Sequence, residues 1–308
     1  MLAVMARRYS PHAARSDFPS FTAGFVACVL GIDVPGGYQM KAIAEVLILA
    51  VLPCLCIAQS GAPYPQPTPD TPEANPARPT VSTPATLPPV GYLQFETGSL
   101  GAITSPEFGT RIGINQVTKL AFTPRLELFF MTEPYVHSSN SSGGDKEIHP
   151  GEVWLGAQVV VLPADGARPT IAVSYVRRLY ESPAPELDMG TNRQSGTLLL
   201  SNDVAGFHYD ANFIITEQTE FGTRRAQLAQ TLSISHALKK FTISGEIWHF
   251  TQPYFNSNAV GNLWALSYPL RRNLVIDGGF DHGFTHTSTQ WEEFIGFTYL
   301  LPHRLLGN

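Results

Sequence analysis

The chain has 308 residues, of which 44% are hydrophobic and only 15% charged, with a formal net charge of −5. A soluble globular protein carries about 25% charged residues, so charge is scarce, while the apolar content excludes disorder throughout. No run of 18 apolar residues is present, which excludes a helical membrane bundle, and the acidic balance argues against a nucleic-acid partner.

From the amino terminus, Met40-Lys41 opens a stretch that reads as a secretory signal, residues 40–58. Val46–Ala58 is an apolar run too short to span a bilayer, and Cys56 and Ala58 stand at −3 and −1 before Gln59, which places cleavage after Ala58. Residues 1–39 read as an upstream extension, unstructured. The alternative is that Arg7, Arg8 and Arg15 form a long basic n-region. A lipoprotein anchor fits less well, because neither Cys54 nor Cys56 follows a small residue. Cleavage removes all three cysteines, Cys28, Cys54 and Cys56, so no disulfide or Cys-based metal site is expected. It also removes four basic and three acidic residues, leaving a net charge of −6.

Residues 59–90 hold ten prolines, from Pro63 to Pro89. Such a stretch lacks donors and apolar mass, and is expected to be a disordered, partly polyproline-II linker. Ordered structure is expected from Gly91.

From there to the end, period two dominates. Phe207, Tyr209, Ala211, Phe213 and Ile215 alternate with His208, Asp210, Asn212 and Thr216; Phe241, Ile243 and Ile247 alternate with Thr242, Ser244 and Glu246. The pattern predicts strands over 91–98, 108–121, 125–137, 151–162, 168–180, 192–202, 204–216, 224–235, 240–251, 257–269, 272–284 and 290–301. Most exceed the five or six residues usual in globular sheets and match the roughly 9–11 that a tilted strand needs to cross a bilayer. Predicted connections alternate, short at 123–124, 163–167, 201–203, 237–239 and 270–271, longer at 99–107, 138–150, 181–191, 217–223, 252–256 and 285–289. Tyr92, Tyr175, Tyr209, Trp291 and Tyr299 fall near strand ends, where rings with a polar edge settle at a membrane interface. Export, long strands and alternating turns together predict an all-β fold, a closed up-and-down antiparallel transmembrane β-barrel of about 12 strands. Lipid contact demands closure, since every backbone polar group must then be paired within the protein.

Several short segments carry a resemblance to a known family. They are Leu93-Gln94-Phe95-Glu96-Thr97-Gly98-Ser99-Leu100-Gly101, Thr123-Pro124-Arg125-Leu126-Glu127-Leu128, Val153-Trp154-Leu155-Gly156-Ala157, Ala265-Leu266-Ser267-Tyr268-Pro269-Leu270, Ile276-Asp277-Gly278-Gly279-Phe280 and Phe294-Ile295-Gly296-Phe297-Thr298-Tyr299. In this order they resemble outer-membrane barrel proteins of the "MetA-pathway of phenol degradation" family. The resemblance implies an outer-membrane channel, linked to uptake of aromatic or other hydrophobic compounds, and no catalytic residues. The chain departs at its end. Such barrels usually finish on an aromatic residue read by the barrel-assembly machinery, whereas Leu300–Asn308 follow Tyr299 here.

If apolar residues face lipid, the lumen receives Arg125, Glu127, Glu152, Gln158, Arg178, Asp210, Asn212, Gln227, Glu246, Asp277 and Asp281. The acidic excess points to weak cation preference; the alternative is a mutually paired network that plugs a narrow barrel. Twelve strands lie between a side-chain-filled barrel of about eight and a water-filled one of about sixteen. The expected function is passive passage of small solutes, with membrane lipid, solutes and the assembly machinery as partners and no cofactor. A non-transporting structural barrel and a lipid-modifying barrel enzyme are the alternatives. For the enzyme, Ser233, Ser244, His208, His249, Asp210 and Asp277 supply candidate parts, but no Gly-x-Ser-x-Gly elbow is present. His282 and His286, four apart in a strand and its loop, form no helical metal-ligand pair.

Overall fold

The computed structural model describes residues 72–139, 146–187, 191–220 and 222–306. The expected extension and signal, and linker residues 59–71, lie outside the described residues. Among the described residues thirteen strands run in chain order: β1 (Tyr92–Ile103), β2 (Thr110–Thr123), β3 (Leu126–Ser139), β4 (Lys146–His149), β5 (Val153–Leu162), β6 (Thr170–Tyr180), β7 (Thr191–Val204), β8 (Phe207–Glu220), β9 (Thr223–Leu238), β10 (Phe241–Phe250), β11 (Ala259–Arg271), β12 (Leu274–Gly283) and β13 (Trp291–Arg304).

Twelve of them form a closed ring. Neighbours in sequence pair antiparallel from β5 to β13, β13 pairs β1, β1 pairs β2, β2 pairs β3, and β3 pairs β5. β4 stands outside the ring count. It pairs only with the far end of β3, from Val136↔His149 to Ser139↔Lys146. Closure leaves the twelve-strand ring no edge to satisfy, as a lipid setting requires.

The two faces are inverted relative to a soluble protein. Outward residues such as Ile112, Phe130, Leu155, Leu232, Ile276 and Ile295 are exposed, Ile295 by 69%. Inward ones such as Gln94, Glu96, Gln158, Asn212 and Thr298 are buried, Gln94 completely. Water would penalise such a surface, since monomeric soluble proteins rarely expose a continuous apolar patch beyond a few hundred Å². A hydrocarbon surround is the environment this surface fits. Phe207, Phe241, Tyr268 and Tyr299 ring the end where the chain enters β1, with Phe241 and Tyr268 5.0 Å apart between ring centroids. Tyr135, Tyr175 and Trp291 lie toward the other end.

Both ends of the barrel chain lie together, with Tyr92 opposite Arg304 in the β1–β13 ladder. At this end four connections are two residues long. The β7–β8 turn, Ala205-Gly206, has φ of +52° and +82°, the left-handed pair of a type I′ hairpin whose twist matches that of the strands.

The structure departs from expectation in six places. Ordered chain begins by residue 72 and not at Gly91, for a reason that lies in the lumen. β4 arises inside the expected 138–150 loop, where it shields part of β3 not reached by β5. β1 continues to Ile103, paired throughout with β2 and β13. The turn expected at 201–203 falls at 205–206 because β7 and β8 stay paired to Val204↔Phe207, and the expected 217–223 loop shrinks to two residues because β8 and β9 stay paired to Glu220↔Thr223. β13 extends past Tyr299 to Arg304, and includes Pro302.

Candidate functional site

The inward faces enclose a polar lumen, and a stretch of the chain itself fills the half nearest the termini. Residues 73–87, from the Pro-rich segment, enter beside the β11–β12 turn, where the Ala74 N–H donates to the Arg272 carbonyl at 2.9 Å. They rise to the middle of the barrel at Val81–Thr83, descend along the opposite wall and return to start β1. The Asn75 amide donates to Thr86 Oγ1 at 3.2 Å across the two arms. The segment is therefore an inverted loop that enters and leaves by one end.

Wall side chains hold it chiefly by its main chain. Gln94 on β1 pairs twice with Asn75, accepting from its N–H at 2.8 Å and donating to its carbonyl at 2.7 Å. Asn212 on β8 does the same with Thr83, at 2.7 and 2.9 Å. The Glu246 carboxylate on β10 accepts from the Val81 and Ser82 N–H groups at 2.7 and 2.6 Å. Ser201 on β7 accepts from the Ala85 N–H at 2.7 Å, and Gln158 on β5 donates to the Pro84 carbonyl at 3.1 Å. Glu96 accepts from the Ala77 N–H at 3.3 Å. Each such bond contributes about 0.5–1.5 kcal/mol net, more at a charged acceptor. Proline lowers the entropy lost on ordering the segment. On the descending arm Ala85 packs with Val160, Ala172 and Leu199.

Two side chains add specific contacts. Ser82 Oγ lies 2.7 Å from Thr231 Oγ1. The Arg78 guanidinium reaches Asp277 at 3.3 Å. It sits against Gly98 and Gly296, which face each other across the β1–β13 ladder. The three atoms nearest a Cβ on Gly98 all belong to Arg78, whereas one on Gly296 would also meet the Thr97 carbonyl.

Beside this socket Lys119 pairs with Glu96 at 2.7 Å, and Glu127 is buried close by. On the descending wall Ser201 donates to Asp210, whose other oxygen lies 3.2 Å from His208 Nε2.

The opposite mouth is crossed by a second element, residues 181–187. Arg111 on β2 donates to the Pro185 carbonyl at 2.9 Å while pairing with Glu133 at 2.7 Å. Thr289, on the far side of the ring, donates to the Leu187 carbonyl at 2.9 Å. Arg178 anchors the near side, on Glu152 at 2.6 Å, Glu181 at 2.9 Å and Glu186 at 3.1 Å. Burial pushes the Glu152 carboxyl above the ordinary carboxylate range, with Arg178 opposing it.

Of the residues nominated from sequence, Gln158, Asp210, Asn212, Glu246 and Asp277 meet the lumen loop or its direct supports, Glu127 faces Lys119, and Gln227 is buried on the inward face of β9. Asp281 accepts from Trp248 Nε1 at 2.6 Å, and Glu152 and Arg178 join at the mouth. Arg125 is a correction: it lies in the two-residue turn between β2 and β3 and is exposed, because β2 runs to Thr123 and leaves only Pro124-Arg125 to reverse the chain. Gln94, Glu96, Arg111, Lys119 and Ser201 were missed, although Gln94 and Glu96 alternate with Leu93 and Phe95 as the same rule requires. For the enzyme alternative, among the described residues neither Ser233 nor Ser244 hydrogen-bonds a histidine, and His249 bonds Gln230 at 2.8 Å. A groove of about 400 Å³ bordered by Tyr175, Gly196, Ile215 and Arg224 opens on the outward side of β6–β9, apart from the lumen.

No protein-family model matches the chain, and no curated protein matches it in sequence. Among solved structures it is similar to a NanC porin, with a TM-score of 0.49 and 10% identity over 68% of this chain and 100% of that one. It is similar to the KdgM porin at 0.46 and 12%, over 67% and 98%. The CymD monoaromatic hydrocarbon channel gives 0.43 and 9%, over 70% and 90%. The barrel assignment itself rests on the closed ring of strand pairs.

Proposed function

We propose that the protein is an outer-membrane channel for passive passage of small solutes, held shut by its own residues 73–87. The observation that carries this reading is a polar lumen inside an apolar wall, occupied by a loop that wall side chains hold mainly through backbone groups. Such bonds are reversible, and both ends of the loop lie on the side where β1 begins, so withdrawal toward that side clears that half of the lumen without unfolding the wall. That side is the periplasm in an exported barrel whose two ends share it. A signal peptide over 40–58 and delivery by the barrel-assembly machinery belong to the same reading. The inward acidic residues favour cations, and aromatic or hydrophobic solutes follow from the family resemblance alone.

A lock tests it. With cleavage after Ala58 the mature chain lacks cysteine, and Ser82 and Thr231 touch, so the double variant Ser82→Cys/Thr231→Cys can be closed by a disulfide. In reconstituted vesicles the oxidised form is expected to pass no ions or small aromatic probes, and a barrel lacking 72–90 to pass both. Current through the locked form means that the path does not run past the loop. No current through a correctly folded barrel lacking 72–90 removes the channel reading. That result would favour a non-transporting structural barrel, which the filled lumen also suits.

A further inference from the structure

We infer that the lumen is a binding site for an extended, proline- and alanine-rich peptide carrying one arginine, and that residues 73–87 occupy it as a tethered example of that ligand. This deepens the channel reading by naming what the emptied conduit accepts from the periplasmic side.

Three observations support it. First, recognition is of peptide main chain. Gln94 and Asn212 each satisfy both the N–H and the carbonyl of one residue, the two-point pairing of an added strand, while Glu246, Ser201 and Gln158 take further N–H and carbonyl groups. An oligosaccharide offers hydroxyls that each donate and accept, without the fixed order of N–H and carbonyl groups along a peptide. A folded chain lacks free ones. Second, the ligand must be narrow. Ser82 and Ala85 are completely buried, so these two positions admit only small side chains. Third, one side chain is read individually. Gly98 and Gly296 leave the space that the Arg78 guanidinium fills, and Asp277, buried on β12, supplies the charge. A planar guanidinium between two strands, bonded to one carboxylate, is a socket that a lysine ammonium fills poorly.

The probe is a synthetic peptide of residues 72–90, added to a barrel from which 59–90 have been deleted. Binding is read by fluorescence anisotropy in detergent micelles, and block of current is read separately in planar bilayers. Saturable binding is expected. The peptide with Arg78→Ala should bind at least about tenfold more weakly, and a barrel with Asp277→Asn should lose most of that difference. A maltooligosaccharide of similar length should not compete. A shortened barrel that folds only when the peptide is supplied, seen as restored heat-shifted gel migration, reports the same contact and supports the inference. Neither binding nor rescue, or binding indifferent to the arginine, overturns it. The two readings separate cleanly: binding without current removes the channel and keeps the site, and current without binding does the reverse.

Discussion

At the scale of single residues, the Arg78 socket depends on two missing side chains. Gly98→Ala places a methyl where the nearest atoms all belong to the guanidinium, so the flexible side chain yields and the strand does not. Asp277, buried to 5%, is then left without its cation. Removing one partner of a buried pair costs up to about 3–5 kcal/mol, because the remaining charge is uncompensated; part of this is recovered if water follows the arginine out. Gly98→Ala is therefore expected to loosen the lumen loop while the barrel stays closed. Proteinase K should cut within residues 73–87 faster than in the unchanged protein, with the heat-shifted gel band retained. Gly98→Ala combined with Asp277→Asn should recover part of the loss, since no buried charge is then stranded. The arginine was not legible as a luminal group. It sits among prolines that locally spell a tether, and the two glycines that receive it are more than 19 residues away in sequence, on strands that meet only when the ring closes.

At the scale of elements, alternation located the wall strands because a half-buried strand is written in a two-residue period, and Phe207–Thr216 shows it without help from any neighbour. β4 escaped because four residues paired on one side carry no period, and Ser138–Gly144 before it is polar. The lumen loop escaped for a different reason. Its backbone donors are satisfied by Gln94, Asn212, Glu246 and Ser201 on distant strands, and no local pattern records that. Turn positions were misread where strands run longer than their apolar stretch. The β7–β8 turn shows what fixes the true position, since Ala205 holds φ of +52° ahead of Gly206, a conformation costly for a residue with a Cβ. Asn tolerates it better and, before Gly, is the preferred type I′ residue. Ala205→Asn is expected to stabilise the barrel by about 0.5–1 kcal/mol, read as a higher midpoint of urea unfolding in lipid vesicles. No gain would mean that the turn is not held in this conformation in the membrane.

At the scale of the whole molecule, the reading of an apolar exterior and a polar interior makes opposite demands on adjacent residues. Leu232 and Ser233 are neighbours on β9, and each lies at mid-barrel. Leu232 points out between Ala211 and Ile247, 43% exposed; Ser233 points in, 3% exposed, opposite Asp210 on β8 and Glu246 on β10. An arginine on the lipid side near the midplane costs about 2–4 kcal/mol, so Leu232→Arg should lower the yield of folded barrel and shift its unfolding accordingly. A lysine at 233 enters the polar side with two carboxylates facing it, so Ser233→Lys should assemble well. It should also crowd the tip of the lumen loop, because Glu246 is the acceptor for Val81 and Ser82; the expected result is a normal heat-shifted band with faster proteinase K cutting within residues 73–87. A lipid-confined label should mark Cys placed at 213, 232 or 276 and spare Cys placed at 212, 233 or 277. If Leu232→Arg is tolerated while Ser233→Lys prevents assembly, the faces are assigned the wrong way round, and the lumen, its loop and the channel all lose their basis together.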